Sequence, residues 1–322
     1  MSCIHFLNVE NGDCNIIEHN SGRISVIDVC CARKEDLQEG VGQEDAKIVM
    51  NSSISGNFHQ KEHPENPIIY LKNVIKPSHI FRYIQTHPDM DHMDGIKDLF
   101  EEFKVYNFWD TDNNKEISSN DFNNYRKEDW DFYQEIRQSK SDSKVLKLTD
   151  NSKGEYYRCE NGDGLFILAP SEDLINEANS TEDYNELSYV ILYQTGNKKI
   201  VFSGDSGKKS WDYILQKYKS LVSDVDVLLA PHHGRKTGGN DTYLDVLKPK
   251  LTLFGNANSE HLDYSAWNNR HLFKITNNEA GNIVLEIEND EIEVYVANEV
   301  FAKKFENYNA SKTRYGYYIG NI

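Results

Sequence analysis

Two histidines and three aspartates fall within eight residues in the run Thr86-His87-Pro88-Asp89-Met90-Asp91-His92-Met93-Asp94-Gly95. Imidazole and carboxylate are the ligands that borderline and hard divalent cations take. Crowding them onto one turn carries a repulsion that a bound cation relieves. A second run, Pro231-His232-His233-Gly234-Arg235-Lys236-Thr237, pairs tandem histidines with a glycine that permits close approach. Its Arg235 and Lys236 supply positive charge and donors for an anion. Two single aspartates complete the set. Asp28 follows the apolar run 24–27, and Asp205 follows 199–203 within Ser203-Gly204-Asp205. An aspartate in such a place is either an edge charge or part of a site, and Asp28 suits a carboxylate that backs a ligand.

The elements that must position these groups are short strands. Residues 80–84 form an apolar run just before His87, and Ile96, Leu99, Phe100 and Phe103 have helical spacing after Gly95. The cluster therefore belongs on a strand-to-helix turn, where ligands gather in α/β proteins. Residues 4–9 alternate as a strand, Asn11-Gly12-Asp13 signals a tight turn, and 14–18 and 24–29 continue as strands. A second β-rich half runs through 165–170, 187–193, 199–203, 225–230, 251–256 and 281–287. Segments 31–77 and 104–164 read as insertions, the first polar and the second a short strand at 105–109, an acidic turn and a Tyr- and Trp-rich helix around 125–138. His59 and His63 read as surface loop, and Asp110, Asp112, Asn113 and Asn114 as a solvated turn without calcium-loop register. The aromatics of 104–164 are expected to pack rather than stack on bases. The expected organisation is one domain over 1–300, with 301–322 a terminal strand or a partner-contacting arm.

The chain has 322 residues, with 35 Lys and Arg against 52 Asp and Glu, a net charge of -17. That balance is opposite to the footprint of a protein that grips nucleic acid by phosphate contacts alone. Five cysteines (Cys3, Cys14, Cys30, Cys31 and Cys159) form neither a CxxC pair nor an even set, as expected for free thiols of a reducing compartment. Neither a signal peptide nor a membrane span is legible, so the expectation is a cytoplasmic protein with no membrane partner.

Taken together, Phe6-Leu7-Asn8-Val9-Glu10-Asn11-Gly12-Asp13, Val26-Ile27-Asp28, the His87 to Gly95 run, Asn185-Glu186-Leu187-Ser188, Ser203-Gly204-Asp205 and Pro231-His232-His233-Gly234 resemble the metallo-β-lactamase fold. Within it they are most similar to the hydrolase domain of the DNA-uptake protein ComEC and its stand-alone relatives. The resemblance implies a four-layer αββα sandwich with two divalent metal ions, Zn or Mn, on its rim. His87 and Asp89 would hold one metal, Asp91 and His92 the other, and Asp205 would bridge. The usual His-x-His-x-Asp-His motif has histidine where this chain has Asp89, an exchange that ComEC-like members share and that favours manganese. Where relatives place a further histidine this chain offers Asn185, so His232, His233 or His261 must complete the first position.

The chemistry implied is metal-dependent hydrolysis of a phosphodiester, with DNA the family-weighted substrate. Asp205 or Asp91 would orient the water, His233 or Arg235 would meet phosphate or leaving-group oxygens, and Arg235, Lys236 and Asn185 would contact substrate. The acidic charge leaves room for a small phosphorylated or cyclic-nucleotide substrate, or for a protein partner encoded alongside that brings the nucleic acid, as in an antiviral effector. The alternative of another class is a degenerate, metal-free binding module.

Overall fold

Neighbouring residues in the central strands point to opposite sides, and both sides are apolar. Ile17, Ile27 and Ile84 join one hydrophobic cluster, whereas Ile16, Val26 and Tyr83 join another. Likewise Ile191 and Ile200 face the first cluster, and Leu192 and Val201 a third. Period-two alternation with apolar residues on both faces requires a sheet covered twice. The computed structural model, which describes residues 1–35, 58–118, 122–158, 162–236, 241–257, 261–288 and 290–322, has two such sheets.

In the larger sheet β1 (Ser2–Phe6), β2 (Asn15–Glu18) and β3 (Ile24–Ile27) run antiparallel, and β4 (Ile80–Ile84), β5 (Val105–Asp110) and β6 (Lys144–Lys147) continue parallel to β3. The smaller sheet repeats the plan. There β7 (Leu165–Ala169), β8 (Val190–Thr195) and β9 (Lys198–Phe202) are antiparallel, followed by parallel β10 (Val227–Leu229), β11 (Leu251–Phe254) and β12 (Lys274–Thr276). Finally β13 (Ile283–Glu288), β14 (Glu291–Val296) and β15 (Tyr317–Asn321) extend the larger sheet beyond β1. The first cluster lies between the sheets. The second packs the larger sheet against helices Ile96–Glu102 and Lys127–Arg137, and the third packs the smaller against Lys208–Tyr218 and Tyr243–Leu247. This is the four-layer αββα sandwich that the sequence resemblance implies.

The differences from the sequence expectation are local. The first strand stops at Phe6 rather than at residue 9, because Asn8 N donates to the Asn282 side chain (2.8 Å) and Val9 N turns back to Leu7 O (3.1 Å), drawing the chain out of the ladder. Segment 104–164 supplies the expected strand as β5 and a further one, β6, to the larger sheet, and its expected solvated turn is partly buried. Asp110 accepts from Tyr133 Oη and Arg137 Nε, both at 2.7 Å, and Asn113 is enclosed as well. The turn-forming residue types are right, but a neighbouring helix supplies donors that replace water. The aromatics there do pack: Trp109, Trp130 and Tyr133 are buried. Residues 36–57, within the first expected insertion, lie outside the described residues, as does Cys159. Cys3, Cys14, Cys30 and Cys31 are free thiols. Among the described residues no helix is long and apolar enough to cross a membrane.

Candidate metal centre

Both halves deliver polar groups at the carboxyl ends of parallel strands. Asp28 follows β3, His87 follows β4, Asp205 follows β9 and His232 follows β10. Tyr189 N donates to Thr86 O (3.0 Å) across the sandwich, and His232 N donates to Gly204 O (3.0 Å) between neighbouring strand ends of the smaller sheet. The turn after β4 is closed from within by Gln85, whose Nε2 donates to His87 O and His92 O, both at 2.9 Å. Asp28 is fully buried behind it and accepts from Thr86 N (2.7 Å) and Thr86 Oγ1 (2.5 Å), with His92 Nδ1 at 2.8 Å. That contact sets His92 with its proton on Nδ1 and leaves Nε2 as the free acceptor.

The backbone here is held in conformations that L residues avoid. Asp28, His232 and His233 have φ of 56°, 53° and 56°. Each such residue costs on the order of 1–3 kcal/mol and persists only where the surroundings enforce it. The tandem left-handed histidines swing both imidazoles toward Asp205. Gly234 follows at φ 89° against the Phe254 ring, where a Cβ has no room. Behind His233, Asp13 Oδ1 lies 3.1 Å from Nδ1, the same arrangement that Asp28 gives His92.

Asp205 is the centre. Its Oδ1 lies 3.2 Å from His92 Nε2 and 3.4 Å from His233 Nε2, and its Oδ2 lies 3.5 Å from His232 Nε2 and 3.9 Å from His87 Nε2. Asp91 Oδ2 is 3.9 Å from His233 Nε2, and Asp89 Oδ2 is 3.7 Å from His87 Nε2. His87 Nε2, His92 Nε2, His233 Nε2 and Asp205 Oδ1 are buried without a hydrogen-bond partner. Unpaired buried polar atoms are costly, and four converging on one point need an occupant that accepts lone pairs. The sets His87, His92, Asp205 and Asp91, His92, His233 each bring one ligand atom apiece within 4.8 Å of one another, as divalent cation binding requires.

Without a cation the cluster holds protons instead. Burial opposes charge on His92 and His233, but Asp205 outweighs it at both, helped by Asp28 at the first and Asp13 at the second, and both imidazoles titrate above their ordinary value. Burial would raise the Asp205 carboxyl, yet His233 and His92 hold it far below the carboxylate range. His232 differs: burial, abetted by His233 and Arg235, outweighs Asp205 and lowers its pKa.

The sequence-predicted residues divide. His87, Asp89, Asp91, His92, Asp205, His232 and His233 come together, with Asp28 behind. His261 does not join them. It is exposed, its carbonyl accepts from Lys236 N (3.2 Å), and Leu262 bridges Arg235. The chain there pairs beside the Pro231 to Gly234 turn instead of turning inward. Asn185 is half-buried in the 3-10 turn Tyr184–Leu187, and its carbonyl accepts from Ser188 N (3.1 Å). Its neighbour Glu186 has the more evident role, accepting from Lys209 N (3.1 Å) and Ser210 N (2.9 Å) at the start of the Lys208–Tyr218 helix. Arg235 Nη1 lies 3.5 Å from His232 Nε2, and Lys236 is exposed.

Two further contributors carry no signal of their role in the sequence. Asp13 stands in the sequence as part of a turn signal and of the run that carries the family resemblance, with no role of its own. Lys115, from the segment read as an insertion, donates to Asp89 Oδ1. No local pattern marks either one, since both arrive from loops distant in sequence from the residues they meet.

No family model matches the chain, and no curated protein matches it by sequence. Among solved structures it is similar to Igni18, a novel metallo hydrolase from the hyperthermophilic archaeon Ignicoccus hospitalis, with 12% identity over 89% of this chain and 100% of that one, at TM-score 0.49. It is similar to Zn(2+)-bound PqqB from Methylobacterium extorquens, with 11% identity, 89% and 100% coverage and TM-score 0.46. It is also similar to isothiocyanate hydrolase from Delia radicum gut bacteria, with 14% identity, 88% and 99% coverage and TM-score 0.47.

Proposed function

We propose that this chain is a metal-dependent hydrolase that uses two divalent cations to cleave phosphodiester bonds, with DNA as substrate in line with its resemblance to ComEC. The observation that carries this is Asp205, a buried carboxylate with one oxygen facing His92 and His233 and the other facing His232 and His87. Asp91, His92, His233 and Asp205 would hold one cation. His87, Asp89, His232 and Asp205 would hold the other, with His232 taking the place for which the sequence offered three candidates. When bound, two such cations polarise a phosphoryl oxygen and acidify water. Asp205 holds the two positions together. Asp91 is in reach to orient water, and Asp28 and Asp13 fix the tautomers of His92 and His233. Arg235 presents a guanidinium to non-bridging phosphate oxygens, and Lys236 adds charge at the exposed margin. The mixed nitrogen and oxygen donors suit Zn or Mn.

The net charge of -17 favours a second reading with the same chemistry, a small phosphodiester or cyclic nucleotide that does not bring a polyanion against an acidic surface. Incubating Mn- and Zn-loaded protein with single-stranded DNA, double-stranded DNA, RNA and bis-p-nitrophenyl phosphate separates the cases. DNA cleavage lost in Asp205→Ala supports the first, and turnover of the small ester alone supports the second. Absence of metal uptake and of any turnover refutes both.

A further inference from the structure

The two positions share Asp205 but have different surroundings. At the position formed by Asp91, His92 and His233, both histidine side chains are fully enclosed and each is backed by a buried carboxylate, Asp28 at 2.8 Å and Asp13 at 3.1 Å. A carboxylate behind a ligating imidazole raises its basicity and locks its tautomer. At the position formed by His87, Asp89 and His232 the described residues offer no such carboxylate. His87 Nδ1 lies 3.1 Å from the Thr86 hydroxyl, and His232 Nε2, the atom that faces Asp205, has the Arg235 guanidinium 3.5 Å away. Asp89 already holds a cation, the Lys115 ammonium on Oδ1. Lys115 is kept there: its ammonium lies 5.4 Å from the Tyr184 ring, and Tyr184 Oη donates to Asn114 Oδ1 (3.0 Å) next to it. His87 is fully enclosed, but His232 is 25% exposed where His92 and His233 are fully enclosed, and Asp89 is 32% exposed against 23% for Asp91, so water competes more at this position.

Resting on the two-metal reading above, we propose that the metal positions are unequal: the Asp91, His92 and His233 position binds its cation tightly, whereas the His87, Asp89 and His232 position is weak and exchangeable because Lys115 and Arg235 oppose a cation there. Lys115 is thus a positioning residue that governs the second metal. It holds Asp89 with Oδ2 turned toward His87, and it withholds most of the charge that a carboxylate in a histidine's place would otherwise contribute. A unit charge this close to a divalent ion changes affinity by about tenfold or more even at the high effective dielectric of a protein margin.

The test is calorimetric titration of chelator-stripped full-length protein with Mn(II), with bound metal counted by mass spectrometry. Wild type should give two binding events whose affinities differ by at least about tenfold. Asp89→Asn should remove the weak event alone. Lys115→Met should tighten the weak event by about tenfold, and Lys115→Arg should leave it as in wild type. The tight event, retained in every variant, shows that each is folded. Two equal events, or a tight event altered by Asp89→Asn or Lys115→Met, would overturn the inequality while leaving a two-metal enzyme. Absence of any binding would defeat the two-metal reading itself.

Discussion

Replacing Asp28 by asparagine exchanges one carboxylate oxygen for an amide nitrogen and leaves shape and backbone almost unchanged. Asparagine tolerates the left-handed conformation at this position, φ 56°, so the change does not add backbone strain. The remaining carbonyl can still accept from Thr86 N, now 2.7 Å from Asp28 Oδ1. The new amide then faces His92 Nδ1, which sits 2.8 Å from Oδ2. Two donors cannot share that contact, so His92 must move its proton to Nε2, the atom 3.2 Å from Asp205 Oδ1 that faces the metal position. Loss of such a supporting partner costs about 10–100-fold in metal affinity, or about 1.4–2.7 kcal/mol. The assay is Mn(II) or Zn(II) titration of the stripped variant, with hydrolysis of bis-p-nitrophenyl phosphate followed in parallel. Unchanged affinity at the tighter position in a folded Asp28→Asn variant would refute the role given to Asp28.

Three further outcomes are expected. Arg82 and Asp163 form a fully buried ion pair (2.7 Å), so Arg82→Ala should lose about 3–5 kcal/mol by urea unfolding, whereas the double change Arg82→Met with Asp163→Asn should lose much less. His19 is depressed from 6.5 to about 3, chiefly by burial and then by Arg82, so between those values the unfolded chain binds a proton that the folded chain refuses. Stability due to this group is complete above pH 6.5 and falls by about 1.4 kcal/mol per unit as pH drops toward 3, and His19→Gln should remove that slope from a pH series of unfolding curves. Gly234→Ala meets both a positive φ and the Phe254 ring. It should cost about 1–3 kcal/mol in thermal unfolding and lower metal uptake by displacing His233.

The fold was legible where apolar runs are bounded by turn residues and strand ends carry unusual residues. Residues 14–18 and 24–29 read as strands and the His87 to His92 run gathers metal-ligand side chains on one turn without any tertiary knowledge, whereas the layering of two sheets came from the family resemblance. Less legible was whatever depends on a distant partner. Asp110 has the composition of a solvated turn, and only the helix Lys127–Arg137 makes its site dry. His261 has a ligand's side chain, but its strand-like pairing with the Arg235 segment keeps it exposed.

The sequence by itself determined which chemistry is available: nitrogen and oxygen donors at strand ends, an aspartate in a histidine's place, and little positive charge around them. Tertiary structure decided the pairing. Asp13 lies behind His233, Asp28 behind His92, and Lys115 on Asp89, across separations of 220, 64 and 26 residues. The first is set by how the two sheets pack and the other two by which strands of the larger sheet lie side by side, and no local propensity records any of them.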